Sequence, residues 1–162
     1  MAFHITPGQF DYGLGALFQA VFEAKANLTI EVEVATLSGM AQLNADTRGV
    51  NQPTDVLSYP LLPDLATIEA LSLPDSELNI GSIVICQQYA QEAQTPLPEL
   101  VLHGTLHLLG FDHDLDQAEW DRQELRLLVE AAKHKLDLVG LQQWLHSNSK
   151  SLPAASNTPD VA

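Results

Sequence analysis

Positive charge is scarce in this chain. Of 162 residues seven are lysine or arginine and 21 are aspartate or glutamate, a formal net charge of −14 with histidine neutral. Affinity for phosphates normally comes from clustered cations, so broad electrostatic attachment to nucleic acid or to an anionic membrane is excluded as the basis of function. The cations are Lys25, Arg48, Arg122, Arg126, Lys133, Lys135 and Lys150, and between residues 26 and 121 Arg48 stands alone. Cysteine is scarcer still. The single Cys86 rules out an internal disulfide and fits a reducing compartment. It closes the apolar run "IVIC" and reads as a packing residue rather than a nucleophile. No apolar run approaches the roughly 18 residues needed to cross a bilayer. The opening "MAFHITPGQF" also lacks the basic segment and apolar core of a secretory signal. These absences predict a soluble cytoplasmic protein.

What remains suffices for one core. With 46% hydrophobic and 17% charged residues, residues 1–147 are expected to form a single domain without disulfide staples. Residues 148–162, ending in "SLPAASNTPDVA", are small, polar and proline-bearing and read as a disordered tail. Phe10, Leu14, Leu17, Phe18, Val21 and Phe22 recur at helical spacing and predict a first helix over about 8–26. "LTIEVEVA" alternates Ile30, Val32 and Val34 inward against Glu31 and Glu33, a half-exposed strand. Ser38 is the candidate cap of a short helix through Leu43. "TDVLSYP" and "LNIGSIVIC" read as strands, the second more continuously apolar and therefore central. The proline- and acid-bearing stretch between them reads as a variable excursion. Helices are expected at about 87–94, 97–110 and 116–136, with Pro96 and Pro98 at a helix start, and "LQQWLHSNSK" as a further extension. No internal repeat is found. The pattern is α+β, a small mixed sheet packed with helices.

The chemistry concentrates in "HGTLHLLGFDH", residues 103–113, which holds three of the six histidines. On a helix His103 and His107 project from one face, side by side. Gly110 then suits a left-handed helix end, after which the chain can return His113 to the same point. Three imidazoles leave a fourth position for water, as in catalytic rather than closed metal sites. The alternative is a set of core histidines, but three titratable rings converging without a metal would be desolvated for no gain. The spacing equals the metzincin pattern H-E-x-x-H-x-x-G-x-x-H except at Gly104, where those peptidases carry the glutamate base. The cradle is thus that of a metal peptidase with the proton acceptor for peptide hydrolysis removed.

"HGTLHLLGFDH", "NADTRGVNQPTDVLSYP" from Asn44 to Pro60, and "IGSIVI" together resemble the signature blocks of the YbeY endoribonuclease family of bacterial rRNA maturation factors, over roughly residues 28–136. The resemblance implies a zincin-like α+β fold and one zinc-type ion on His103, His107 and His113. It further implies cleavage of single-stranded RNA in 16S rRNA 3′-end maturation and ribosome quality control, with ribosome or ribosomal proteins as partners. The family's functional arginine falls on Arg48, whose planar paired donors match the charge that develops on a phosphodiester. Its plainer reading is a surface residue or an ion pair with Asp46 or Asp55. Two positions depart from the family pattern: Thr47 stands for the usual aromatic and Ser82 for the usual acid, which puts any metal-site role of that carboxylate in doubt.

Lesser candidates surround these. Asp112 could cap the turn carrying His113 or orient the ring. Asp114 and Asp116 read as structural at a helix start. Asp55 could orient Arg48 or bind backbone, and Thr54 and Ser58 could line the cleft. His4, His134 and His146 have no partner spacing. Two other functions stay open: a ribosome-associated assembly factor whose metal is mainly structural, and a metal hydrolase for another phosphoester. Three imidazoles accept zinc, nickel, copper or iron, so the residues leave the ion's identity open.

Overall fold

The computed structural model describes residues 2–134. The expected tail, the extension before it and His146 lie outside them. Four strands form one mixed sheet in the order β1-β2-β4-β3: β1 (Phe3–Thr6), β2 (Asn27–Val34), β4 (Glu77–Ile85) and β3 (Val56–Pro60). β1, β2 and β4 run parallel, while β3 pairs antiparallel to β4 and forms an edge. The α+β expectation holds, and the apolar "LNIGSIVIC" segment is interior, as its composition requires.

The described residues form six α-helices: α1 (Leu14–Val21), α2 (Leu37–Arg48), α3 (Leu65–Leu71), α4 (Gln87–Glu92), α5 (Leu97–Leu108) and α6 (Gln117–His134). Strand alternation sends neighbouring residues to opposite faces. Ile83 and Ile85 join the large core with Leu14, Phe18, Leu102 and Leu106. Val84 and Cys86, with Leu57 of β3, pack under Met40 of α2 in a smaller core. Cys86 is fully buried there, as read. No helix among the described residues is long and apolar enough to cross a membrane.

Local chemistry explains where these elements differ from expectation. The first helix is shorter than 8–26 because a 3-10 turn, Gly8–Phe10, precedes it and Gly13 is left-handed at φ 80°. Asp11 then accepts from the Gly13 and Gly15 amides at 3.1 and 2.9 Å, starting α1 afresh. The cap of α2 is Thr36 rather than Ser38: its Oγ1 accepts from Gly39 N at 3.0 Å, and the helix runs on past Leu43 to Arg48. Within the supposed excursion Asp64 accepts from Thr67 N at 2.8 Å and buried Ile68 anchors α3. Four-residue β1 has too short a pattern to read locally and exists by pairing to β2. Val34, expected inward, is 51% exposed at the strand's end.

Candidate metal centre and its cleft

α5 enters with Pro98 in its first turn and sets Gly104 against Ile83 of β4, while Leu102 and Leu106 join the large core. The i, i+4 spacing then holds His103 and His107 half-buried on one face of the helix, with their Nε2 atoms 3.2 Å apart. Gly110 follows at φ +95°. A Cβ there would stand 2.6 Å from Asp64 Cα, so glycine is needed both for the left-handed turn and for the close approach of the 63–64 loop. The chain returns, and the His113 ring centroid lies 5.1 Å from that of His103 and 5.2 Å from that of His107. One ligand atom from each ring lies within 4.8 Å of the others, so the trio could hold one ion.

Burial, then the charges of His107 and His113, lowers the His103 pKa from 6.5 to about 4. Burial and His113 also lower that of His107, with a further contribution from the Arg48 guanidinium. Both effects favour the neutral imidazole, the form that ligates metals. His113 Nδ1 lies 3.2 Å from Asp114 Oδ1, which leaves Nε2 as its ligating nitrogen. Asp114, expected to be only structural, is therefore the carboxylate beside a histidine. Asp112 instead caps the turn: its Oδ1 accepts from Asp114 N at 2.9 Å and its carbonyl accepts from Leu115 and Asp116 N. Asp116 accepts from Glu119 N at 3.0 Å and starts α6, as read.

Arg48 ends α2 and is exposed on the cleft of about 660 Å³ that the three histidines and β3 line. It makes no ion pair among the described residues. Asp46 accepts from Gln42 Nε2 at 2.8 Å, and Asp55 accepts from Val56 N at 2.8 Å and Thr54 Oγ1 at 3.3 Å. Asp55 thus binds backbone rather than orienting the arginine. Buried Asn44 ties the loop after Arg48, its Nδ2 donating to Gln52 O at 2.8 Å. Thr54 and Ser58 line the cleft. Thr47 Oγ1 donates to Leu43 O at 2.7 Å and lies 3.3 Å from Tyr59 OH. Ser82 pairs with Tyr59 on the face of Val84 and Leu57, whereas Ile83 faces α5. A carboxylate at position 82 would therefore lie across the sheet from the histidines. His4 is exposed on β1.

Sequence reasoning missed Trp120 and Glu124 of α6. Trp120 is buried against all three imidazoles, and its Nε1 donates to Glu124 Oε1 at 2.9 Å. Burial raises the Glu124 pKa against the opposing effect of that hydrogen bond. The signal was the stripe Trp120, Leu127, Ala131, all buried, which marks the inward face of α6.

The mixed sheet and the half-buried trio on an open cleft define an α+β protein with a cradle for one metal ion. The chain belongs to the YbeY endoribonuclease family: the family model for Endoribonuclease YbeY matches residues 13–136. Among curated relatives of that name, the protein of Sulfurimonas denitrificans is 31% identical over 70% of this chain and 80% of its own length. That of Helicobacter pylori strain Shi470 is 38% identical over 62% and 69%, and that of Syntrophomonas wolfei is 35% identical over 69% and 75%. The solution structure of TM1509 from Thermotoga maritima overlaps with a TM-score of 0.44 at 21% identity, covering 98% of each chain. The family assignment stands on the sequence matches.

Proposed function

We propose that this protein is a zinc-dependent endoribonuclease specific for single-stranded RNA, acting in the cytoplasm in 16S rRNA 3′-end maturation and ribosome quality control. His103, His107 and His113 hold the ion, and Arg48 is the catalytic residue. The observation that carries this reading is the placement on one cleft of three convergent imidazoles and a guanidinium with no ion pair among the described residues. The donor set fits the ion: three nitrogens, at least two of them on rings biased neutral, and room on the cleft side for a further ligand. A divalent ion bound there supplies Lewis acidity toward a phosphoryl oxygen.

The chain's own residues do the rest. Arg48 presents paired N–H donors to the non-bridging oxygens as charge builds on them. Among the described residues no ion pair has to break first. Asp114 holds the His113 tautomer. With a net charge of −14, tight general attachment to RNA is not available, so substrate selection falls to the cleft and to contacts with ribosomal proteins. Gly104 withholds the carboxylate base that peptide hydrolysis would need.

The deciding experiment is metal analysis of the purified protein followed by incubation with single-stranded and duplex RNA, for wild type, His103→Ala and Arg48→Ala. Cleavage of the single strand alone is expected, with metal lost in His103→Ala and retained in Arg48→Ala. A metal-loaded wild type that cleaves neither RNA would overturn the nuclease reading and leave an assembly factor with a structural ion.

A further inference from the structure

Trp120 comes from α6, not from the segment that carries the histidines. Only 3% of the side chain is exposed. Its ring centroid stands 4.9 Å from His103, 4.8 Å from His107 and 5.0 Å from His113. Among the described residues it is the only ring outside the trio that meets all three imidazoles. The interplanar angles are 57°, 46° and 88°, so one indole abuts the three rings in three different orientations. Its Nε1–H donates to Glu124 Oε1 at 2.9 Å one turn further on, which fixes the indole in turn.

We propose that Trp120 is a positioning residue of the metal centre, its indole holding the three imidazoles in their ligating arrangement and Glu124 holding the indole. The proposal rests on the reading of the trio as metal ligands. Helical spacing alone sets the bases of His103 and His107, but it does not set how their rings rotate. His113 follows the break at Gly110 and shares no helix with them. Without an ion, His103 and His107 Nε2, 3.2 Å apart, are joined only when one ring carries its proton there and donates to the other, and in every other tautomer the rings gain by turning outward to water. A large flat wall behind all three restricts that rotation at once, and a wall tied by a hydrogen bond cannot swing aside with them. A tryptophan serving only as core filling would set stability and leave the ligand geometry untouched.

The test uses the full chain as wild type, Trp120→Phe, Trp120→Leu and His103→Ala. Three readouts are compared: zinc affinity by competition with a chromophoric chelator, the visible absorption of the cobalt-substituted protein, and thermal melting of the metal-free protein. Trp120→Leu is expected to bind zinc about 10- to 100-fold more weakly, the range typical of residues supporting metal ligands, with altered cobalt bands. Trp120→Phe, which keeps a flat ring but loses the bond to Glu124, should fall between it and wild type. Wild-type affinity and cobalt bands in a folded Trp120→Leu with lowered melting would overturn the proposal. If Trp120→Leu does not fold, Trp120→Phe decides: unchanged affinity and bands overturn the proposal, altered bands in a folded protein support it. A wild type that takes up neither ion would defeat the ligand reading itself, and this inference with it.

Discussion

Gly104 of α5 lies so close to Ile83 of β4 that a Cβ placed on it would stand 2.8 Å from Ile83 Cδ1 and 2.9 Å from Cγ1 and Cγ2. The absence of a glutamate between the first two histidines is therefore also a packing requirement. The helix that carries two histidines approaches the central strand through a residue with no side chain. Gly104→Ala should lower the unfolding free energy by about 1–3 kcal/mol, as overpacking of a filled core does, measured by denaturant titration. Full stability would show that the helix can move off the strand at no cost. Gly104→Glu should not yield a peptidase, because that carboxylate would point into the sheet.

Arg48→Lys separates charge from geometry. A lysine retains the positive charge but not the planar fork. Its cleavage rate should fall between wild type and Arg48→Ala, the latter losing roughly 10²- to 10³-fold in kcat, with zinc content constant across the three. Equal rates for lysine and arginine would mean that charge alone suffices.

Asn44 offers a test of how the arginine's loop is held. Removing it loses the 2.8 Å bond to Gln52 O, but it also removes Oδ1, a buried atom with no partner among the described residues. The two effects oppose one another, so Asn44→Ala should change stability by less than the about 1 kcal/mol typical of a lost hydrogen bond. Amide exchange across 49–53 should nevertheless quicken. Exchange at the wild-type rate would show that Pro53 and the strand hold the loop unaided.

Asp114→Ala removes the carboxylate beside His113 Nδ1. Zinc affinity by chelator competition should fall about tenfold, the lower end for such partners, because Asp114 is 75% exposed and water can take its place. Unchanged affinity would assign Asp114 to the helix start alone.

The metal-free protein should lose stability as the solution is acidified. His103 titrates at about 4 in the folded chain, lowered by burial and by its two imidazole neighbours, against 6.5 unperturbed. Between those values the unfolded chain binds a proton there that the folded chain does not. The contribution of His103 to stability is therefore full above pH 6.5, declines as pH falls towards about 4, and changes no further below that. The slope from one such group is at most about 1.4 kcal/mol per pH unit. His103→Ala should flatten the decline, as read from urea midpoints across that window. An unchanged profile in the variant would place the pH sensitivity elsewhere.

The chain's local chemistry determined a good deal. Four-residue spacing on a helix fixes the relation of His103 to His107 whatever surrounds them, and Gly110 marks the end of that helix because few other residues adopt its backbone angle. The continuous apolar run of β4 specified an interior strand, since such a run has no face to give to water. Tertiary structure decided the rest. Asp114 rather than Asp112 meets His113 because the turn spends the Asp112 carboxylate on the Asp114 amide. Arg48 has no ion pair among the described residues, and Asp46 and Asp55 accept instead from Gln42, Thr54 and Val56. The four-residue β1 exists only through its partner strand, and Trp120 stands against the imidazoles because α6 folds back to pack on α1. These relations join residues whose separation along the chain says nothing of their distance in space, so no local pattern encodes them.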